Sequence, residues 1–341
     1  MKKSISILLV MLLITSLILV GCASKPEPAK AETGSKEEPK ETITLKLGHV
    51  LDDKHVWNLA ALKFGELIES KTNGEIKVQV FSNSQLGNDR DLAEGLQLGS
   101  VDMALIAGVL GNFYEPIQLL ELPYLFENQE HLKKVIYGPV GEEIKQNMQK
   151  KAGIVGLEFW ERGPRELTTN KPINKVEDLQ GLKIRVPEIP PMVAAWKAMG
   201  ANPTPMAWGE VYTALQQKTI DAQENPFANI IGGKIHEVQT HMALTNHVYG
   251  YVMHVVSEKT WNKLTAEQQK AIREAAKETM EWQNAEVARQ EADLLQQLKD
   301  SGMTVTEPDI TEFKARAMTV HAEFAQKYGQ DIYDKIINAA K

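Results

Sequence analysis

The residue whose chemistry organises this sequence is Arg185. It lies in Gly181-Leu182-Lys183-Ile184-Arg185-Val186-Pro187, where Leu182, Ile184 and Val186 alternate with Lys183 and Arg185. That is the two-residue period of a β-strand, and Pro187 ends the ladder because it has no N–H to donate. An arginine therefore stands at the carboxyl end of a short strand, the end at which α/β sheets hold ligands. Its guanidinium is a rigid, permanently charged fork that meets a carboxylate with two parallel hydrogen bonds. On residue type alone the competing role is a surface ion pair, with Glu188 the nearest candidate in sequence.

Other chemistries find little support. Cys22 is the only cysteine, so intramolecular disulfides, thiolate nucleophiles and zinc–thiolate sites are excluded. His236, His241, His247 and His254 do not share a ligand spacing such as i, i+4, and no metal is expected. Gly232-Gly233-Lys234 lacks the preceding glycine of a phosphate loop, and no Gly-x-Ser-x-Gly elbow occurs. Paired carboxylates remain open on sequence alone.

The N-terminus speaks to location. Met1-Lys2-Lys3 is followed by a largely apolar run, Ile5 to Val20, and then Leu19-Val20-Gly21-Cys22. A basic start, a short apolar core and a small residue before the cut make a secretory signal over residues 1–21, too short for a membrane span. The Leu-Val-Gly-Cys ending resembles a bacterial lipobox, which implies that cleavage leaves Cys22 as a lipid-bearing N-terminus; an ordinary signal with a chance cysteine is the alternative. Residues 22–41 are mostly Lys, Glu, Pro, Ala, Ser and Gly without an aromatic. Such a stretch cannot bury enough apolar surface to order itself and reads as a flexible tether. The formal charge of −7 includes Lys2 and Lys3, so the mature chain carries about −9, which argues against a nucleic-acid partner.

About 300 residues then remain to position Arg185, enough for two domains. Thr42 to His49 alternates as a strand; Trp57, Ala60, Ala61, Phe64, Leu67 and Ile68 recur at helical spacing, closed by Asn73-Gly74. Ile76, Val78 and Val80 give a second strand, Asp89 opens a helix stopped at Gly99, and Val101 to Ala107 suits a buried strand. This β-α-β-α-β run predicts a parallel sheet whose strand ends bring His49, Phe81-Ser82 and Ala107-Gly108 to one edge. A helix from about Gln129 to Lys150 and a strand from Ile154 to Trp160 follow, with a crossing into a second domain near Gly163-Pro164. Beyond it are expected the Arg185 strand, a helix from Pro191 to Met199 and a turn at Asn202-Pro203-Thr204-Pro205. Next come a helix from Trp208 to Gln217, a strand from Ile220 to Gln223, and a helix for which Pro226 serves as first residue. From Thr265 to Ser301 there is neither Pro nor Gly, and Thr265 with Gln268 forms a capping box. Such a helix is roughly 55 Å long, more than one small domain needs, so it reads as a brace across both.

Four segments carry a family resemblance: Ser84-Gln85-Leu86-Gly87-Asn88-Asp89-Arg90, the Gly181 to Pro187 stretch, Asn202 to Met206 with Glu210 to Gln216, and Asp221-Ala222-Gln223-Glu224-Asn225-Pro226. They resemble, in family order from about Leu45 onward, the solute-binding proteins of TRAP (tripartite ATP-independent periplasmic) transporters, the dicarboxylate and sugar-acid receptors. The resemblance implies an α/β, two-lobed periplasmic-binding-protein-like fold with hinge strands and a long helix spanning both lobes. Lobe 1 would comprise 42–163 and 250–290, lobe 2 164–249 and 291–341. It implies that Arg185 clamps a carboxylate, with Arg165 a second arginine near the crossing and Asn225 helping to hold the acid group. Trp208 would pack on the ligand, Asp89 would face the distal end of larger sugars, and His49 would face the ligand. Each has a plainer reading: Trp208 as core, His49 satisfied by backbone, Asn225 as a helix start. Sialate-type members carry an acidic residue where this chain has Ala107, which disfavours sialate.

The function so implied is a lipid-anchored, extracytoplasmic, monomeric receptor without cofactor. It would capture a hexuronate-like sugar acid or a C4-dicarboxylate by hinge closure and pass it to integral-membrane TRAP permease subunits. A secreted acid- or carbohydrate-modifying enzyme and an adhesin-type lipoprotein are the alternatives.

Overall fold

The computed structural model describes residues 42–340; the signal, the tether and Cys22 lie outside them. Its first sheet grows from the opening β-α-β-α-β run. Strand β1 (Ile43–Gly48) leads to helix α1 (Val56–Lys71), β2 (Ile76–Phe81), α2 (Asp89–Leu98) and β3 (Met103–Ile106). β1 pairs in parallel with β2, from Ile43 opposite Ile76 to Gly48 opposite Phe81, and with β3 through Leu47 and Met103. All four residues of β3 are buried, as a central strand requires. α2 opens at Asp89 and stops at Gly99 as expected: Asn88 is the N-cap and forms a capping box with Asp91, while Gly99 ends the helix with φ 79°.

The expected helix from Gln129 to Lys150 is two helices, α3 (Gln129–Ile136) and α4 (Pro139–Ala152). Gly138 is extended between them (φ −95°, ψ −169°). Pro139 has no N–H and its ring disfavours a helical residue before it, so the chain restarts with proline in the first turn. β4 (Ile154–Glu161) completes this part of the first sheet.

After a three-residue connection the second sheet starts with β5 (Arg165–Thr169). It continues through β6 (Lys183–Val186), α5 (Pro190–Ala198), β7 (Asn202–Pro205), α6 (Val211–Gln216), β8 (Ala222–Asn225), α7 (Phe227–Gly232) and β9 (His241–Val248). Asn202 to Pro205, expected as a turn, is a strand paired in parallel with β6, Ile184 lying opposite Pro203 and Val186 opposite Pro205. It is the outermost strand of its sheet, where a proline's missing N–H faces no neighbour. Pro226 is the N-cap of α7 rather than its first residue.

After β9 the chain returns through Tyr249-Gly250 to β10 (Tyr251–Ser257), which lies antiparallel between β3 and β4. The first sheet is therefore mixed, in the order β2-β1-β3-β10-β4. A short helix, α8 (Glu258–Trp261), precedes α9 (Ala266–Asp300), and β11 (Thr304–Thr306) then pairs with β9 to close the order β11-β9-β5-β8-β6-β7. The 35-residue α9 carries the expected Thr265–Gln268 capping box. It packs on α1 and β4 beside the first sheet and on α7 beside the second. Gln283 and Asn284 of α9 hydrogen-bond the backbone O and N of Glu161, both at 2.9 Å, where β4 ends.

Three helices finish the chain: α10 (Thr311–Ala317), α11 (His321–Tyr328) and α12 (Gln330–Asn338). The sequence reading groups 291–341 with the second lobe; the end of α9, whose Leu298 is buried with Ile230 and Met242, β11, and α10, which packs on α5, follow that grouping. α11 and α12 dock beside the first sheet instead. His321 Nε2 lies 2.9 Å from the Pro123 carbonyl, His131 Nε2 2.8 Å from the Ile336 carbonyl, and Lys335 pairs with Glu143 at 2.8 Å. The apolar faces of α11 and α12, Phe324, Ile332 and Ile336 among them, are buried in the same core as α3 and α4.

Candidate functional site

The carboxyl ends of β1 and β3 from the first sheet meet those of β6 and β8 from the second around a small cavity of about 50 Å³. Val50 and Leu51 follow β1, Ala107 and Gly108 follow β3, Arg185 sits near the end of β6, and Asn225 ends β8. This is where open α/β sheets bind ligands. One water needs roughly 10–15 Å³ by the same kind of measure, so the space suits a small ligand.

Arg185 is in the cavity wall and only 4% exposed. The surface-pair reading fails, since Glu188 faces Arg90, 3.8 Å away. Instead Nε and Nη2 of Arg185 both donate to the Met206 carbonyl, at 2.9 and 2.7 Å, and its guanidinium carbon lies 5.8 Å from the Trp208 ring centre. Burial lowers its pKa to about 10, so it stays charged at neutral pH. One carbonyl fixes one edge of the fork, and no hydrogen bond from Nη1 joins it to a described residue. The free edge is what a bidentate clamp needs.

Trp208 is half-buried and lines the cavity, its ring packed against Gly233, where a Cβ would overlap it. Asn225 is buried, donates from Nδ2 to Gln223 Oε1 at 2.7 Å, and also lines the cavity. Asp89 is half-buried in the same wall. Burial raises its pKa to about 6 against the pull of Arg185 and Arg162.

Arg165 lines the cavity too, but its fork is taken. Nε and Nη2 grip the two carboxylate oxygens of Glu224, Nη2 at 2.6 Å, and Nη2 also reaches the Glu224 carbonyl at 2.6 Å. His247 completes the assembly from beneath, its Nε2 2.8 Å from Glu224 Oε2 and its Nδ1 2.8 Å from Thr245 Oγ1. Burial alone would raise the Glu224 pKa; Arg165 and His247 outweigh it and hold it near 2. Burial lowers that of His247, keeping the ring neutral.

His49 does not reach the cavity wall. It is 1% exposed, with Nε2 3.1 Å from Asn58 Oδ1 and Nδ1 accepting from the Leu51 N–H at 3.3 Å. A strand-end histidine satisfied by its surroundings is what the structure contains.

The sequence reading missed Arg162, Glu121 and Asn229. Arg162 follows β4 and lines the cavity with Arg165, and Asn229 of α7 lines it too. Glu121 lies behind Gly108, 3.9 Å from Arg162. Only the Glu161-Arg162-Gly163-Pro164-Arg165 cluster at the predicted crossing hinted at the first; Glu121 sits in an apolar stretch that reads as core. Among the described residues no group of His, Cys, Asp and Glu could hold a metal ion.

Residues 47–327 match the model of a family described as bacterial extracellular solute-binding protein, family 7. A solute-binding protein of Roseobacter denitrificans is 42% identical over 275 residues, 81% of this chain and 85% of the relative. The C4-dicarboxylate-binding periplasmic protein of Rhodobacter capsulatus is 34% identical over 300 residues, 85% of this chain and 89% of its own. The crystal structure of a TRAP periplasmic solute-binding protein from Roseobacter denitrificans with bound L-galactonate superposes with a TM-score of 0.83, covering 88% of this chain and 99% of that one at 38% identity. The chain belongs to family 7 of the bacterial extracellular solute-binding proteins, the solute receptors of TRAP transporters and not enzymes.

Proposed function

We propose that this receptor captures a sugar acid, with Arg185 as the carboxylate clamp. The observation that carries the reading is the buried Arg185 fork, fixed along one edge by a single carbonyl and unbonded on the other, in the wall of a small cavity. Asn225 and Trp208 flank it, and Asp89 offers an acceptor for hydroxyls further along. Related proteins crystallised with L-galactonate, L-gulonate and D-glucuronate support this ligand class. The name of the Rhodobacter relative favours a second reading, a C4-dicarboxylate. Calorimetry with L-galactonate, D-glucuronate and succinate separates them: measurable binding of either sugar acid supports the first, and binding of succinate alone overturns it.

Capture works by hinge closure in this reading. The lobes are built on the two sheets, and the crossings are Arg162 to Pro164 and Tyr249-Gly250, with α9 as the brace hydrogen-bonded at the first of them. A ligand that contacts both lobes favours the closed form by its differential affinity, so small-angle scattering should show a smaller radius of gyration with saturating acid. An unchanged curve with binding confirmed removes closure from the mechanism. Cys22 carries a lipid that tethers the monomeric receptor near its permease through residues 22–41. The Cys22→Ala protein should therefore leave the membrane on fractionation; its retention after a salt wash sinks the anchor.

A further inference from the structure

We infer that Arg162 and Glu121 form a second reading element of the cavity, which makes the site select an acid with one carboxylate and several hydroxyls over a dicarboxylate. This rests on the proposed acid-binding role of the cavity and narrows its ligand class.

The pair is built in but left unbonded. Arg162 is 6% exposed and Glu121 0%. Their nearest charged atoms, Nη2 and Oε2, are 3.9 Å apart, beyond hydrogen-bond range. Arg162 Nε is buried without a hydrogen-bond partner among the described residues, and the Glu121 carboxylate makes no well-formed bond there, its one polar neighbour besides Arg162 being the buried Tyr251 hydroxyl. Its terminal nitrogens also bond to no described residue, and they are the part of this cavity-lining side chain left open. Buried donors without acceptors are costly unless something fills them. A hydroxyl or carbonyl oxygen of a ligand does so.

The backbone makes room for the pair. β3 and β10 run side by side and antiparallel, Ile106 opposite Met253, so Gly108 and Gly250 lie at the same end of the sheet. A Cβ on Gly108 would overlap the Glu121 carboxyl group, and one on Gly250 the Arg162 guanidinium. Each glycine is thus what lets a charged group stand this deep.

Charge counting then sets the ligand class. Arg165 is paired with a bonded Glu224 and Arg162 faces Glu121, whereas Arg185 bonds no carboxylate and shares the wall with half-buried Asp89. One ligand carboxylate balances Arg185. A second would sit among groups already neutralised and against Asp89 in the wall, whereas hydroxyls find acceptors at Asp89 and donors at Arg162. A site built to hydrogen-bond a hydroxyl rejects an analogue lacking it far better than an apolar pocket could.

The test titrates the full mature protein with L-galactonate, D-glucuronate and succinate by calorimetry, alongside Glu121→Gln, Arg162→Lys and the double variant Arg162→Gln/Glu121→Gln. The parent should prefer galactonate to succinate by roughly tenfold or more. Glu121→Gln uncovers a cation and should shift that ratio toward succinate by about fivefold. Arg162→Lys loses the planar fork and should weaken galactonate about tenfold, and the double variant should weaken it further while leaving succinate within about threefold. An unchanged ratio in Glu121→Gln together with Arg162→Lys binding galactonate within about twofold of the parent overturns the inference; both single variants keep the test alive if the double variant fails to fold. A parent that binds succinate as tightly as galactonate also overturns it. Loss of galactonate binding in Arg185→Ala beside an unaffected Arg162→Lys would sink this inference alone, whereas wild-type affinity in Arg185→Ala would sink the carboxylate-clamp reading beneath it.

Discussion

Arg165 and Arg185 stand on the same sheet, separated by β8, and are 3% and 4% exposed. By residue type and burial they are equivalent. They differ in what already holds them: Arg165 is gripped by Glu224, itself backed by His247, while Arg185 leans on one backbone carbonyl. The difference teaches that a cavity arginine acts on the ligand according to the carboxylate the protein has, or has not, supplied for it. A saturated arginine is architecture with a cavity-facing edge. An unsaturated one is a vacancy for an anion.

The strongest test of that distinction is Arg185→Ala. A ligand carboxylate enclosed without its cation loses about 3–5 kcal/mol, so affinity for L-galactonate or D-glucuronate should fall roughly 100- to 3000-fold at tenfold per 1.4 kcal/mol. The melting temperature without ligand should change far less, because no buried anion of the protein is stranded. Arg185→Lys should recover only part of the loss, since an ammonium cannot make two parallel bonds. A loss under fivefold in the alanine variant, read by calorimetry, breaks the comparison.

Arg165→Ala should show the reverse profile. It strands Glu224, which is 0% exposed, and breaking a buried pair costs about 3–5 kcal/mol of stability, a large fraction of the 5–15 kcal/mol typical of a folded domain. Denaturant unfolding should report the loss, and Glu224→Gln with Arg165→Met together should restore much of it. If Arg165→Ala unfolds like the parent, the assembly is not the structural element its hydrogen bonds describe.

The same contrast holds between two buried glutamates. Glu224 has its cation and is held near a pKa of 2. Glu166, next to Arg165 in sequence, has no cation among the influences on it. Burial pushes its pKa to about 8, only partly offset by the Asn246 N–H at 2.9 Å and the Thr245 N–H, with Glu291 adding repulsion. Half-buried Glu291, against Gly163 at the first crossing, is raised to about 7 by burial. A raised carboxyl pKa stabilises the fold below its ordinary value of 4.5 and loses that contribution as pH climbs through the folded value. The melting temperature should therefore decline from pH 5 to pH 8 through Glu166 and Glu291. Glu224 works oppositely and lower, losing its contribution as pH falls from 4.5 toward 2. Glu166→Gln should flatten the decline by several degrees, at about 2–4 °C per kcal/mol. A decline of the same slope in that variant assigns the effect elsewhere.

Periodicity and caps made much of this legible in the sequence. β1 to β3, the Arg185 strand and α9 follow from alternation, helical spacing and the Thr265 capping box, all local signals. The misses have physical reasons. Asn202 to Pro205 carries two prolines and looks like a turn, because its position at a sheet edge is set by β6 and not by its own residues. The break at Gly138-Pro139 was written in the sequence but lost against the helical spacing around it. At the site, strand pattern and residue type pointed to Arg185, while Asn225, Trp208 and Asp89 came from the family resemblance. What separates Arg165 from Arg185 is Glu224, 59 positions away, and what places Arg162 is Glu121 on a different segment. Pairings of that separation leave no mark on local pattern.

His49 gives the smallest expected effect and the sharpest limit to the comparison. It stands at the strand end where the sequence points to a ligand contact, yet both ring nitrogens are engaged, Nε2 with Asn58 and Nδ1 with the Leu51 N–H. Burial lowers its pKa, so the neutral ring suits those two partners. If partners already supplied by the protein decide who meets the ligand, His49 belongs with Arg165. His49→Gln should then change galactonate affinity by less than about threefold, under 1 kcal/mol. Stability should fall by about 1–3 kcal/mol, because Asn58 and the Leu51 N–H lose a buried partner. Calorimetry and denaturant unfolding of the same preparation read both quantities. A tenfold loss of affinity with unchanged stability would place His49 on the ligand after all, and would mean that hydrogen-bond saturation in this structure does not predict which side chains the acid touches.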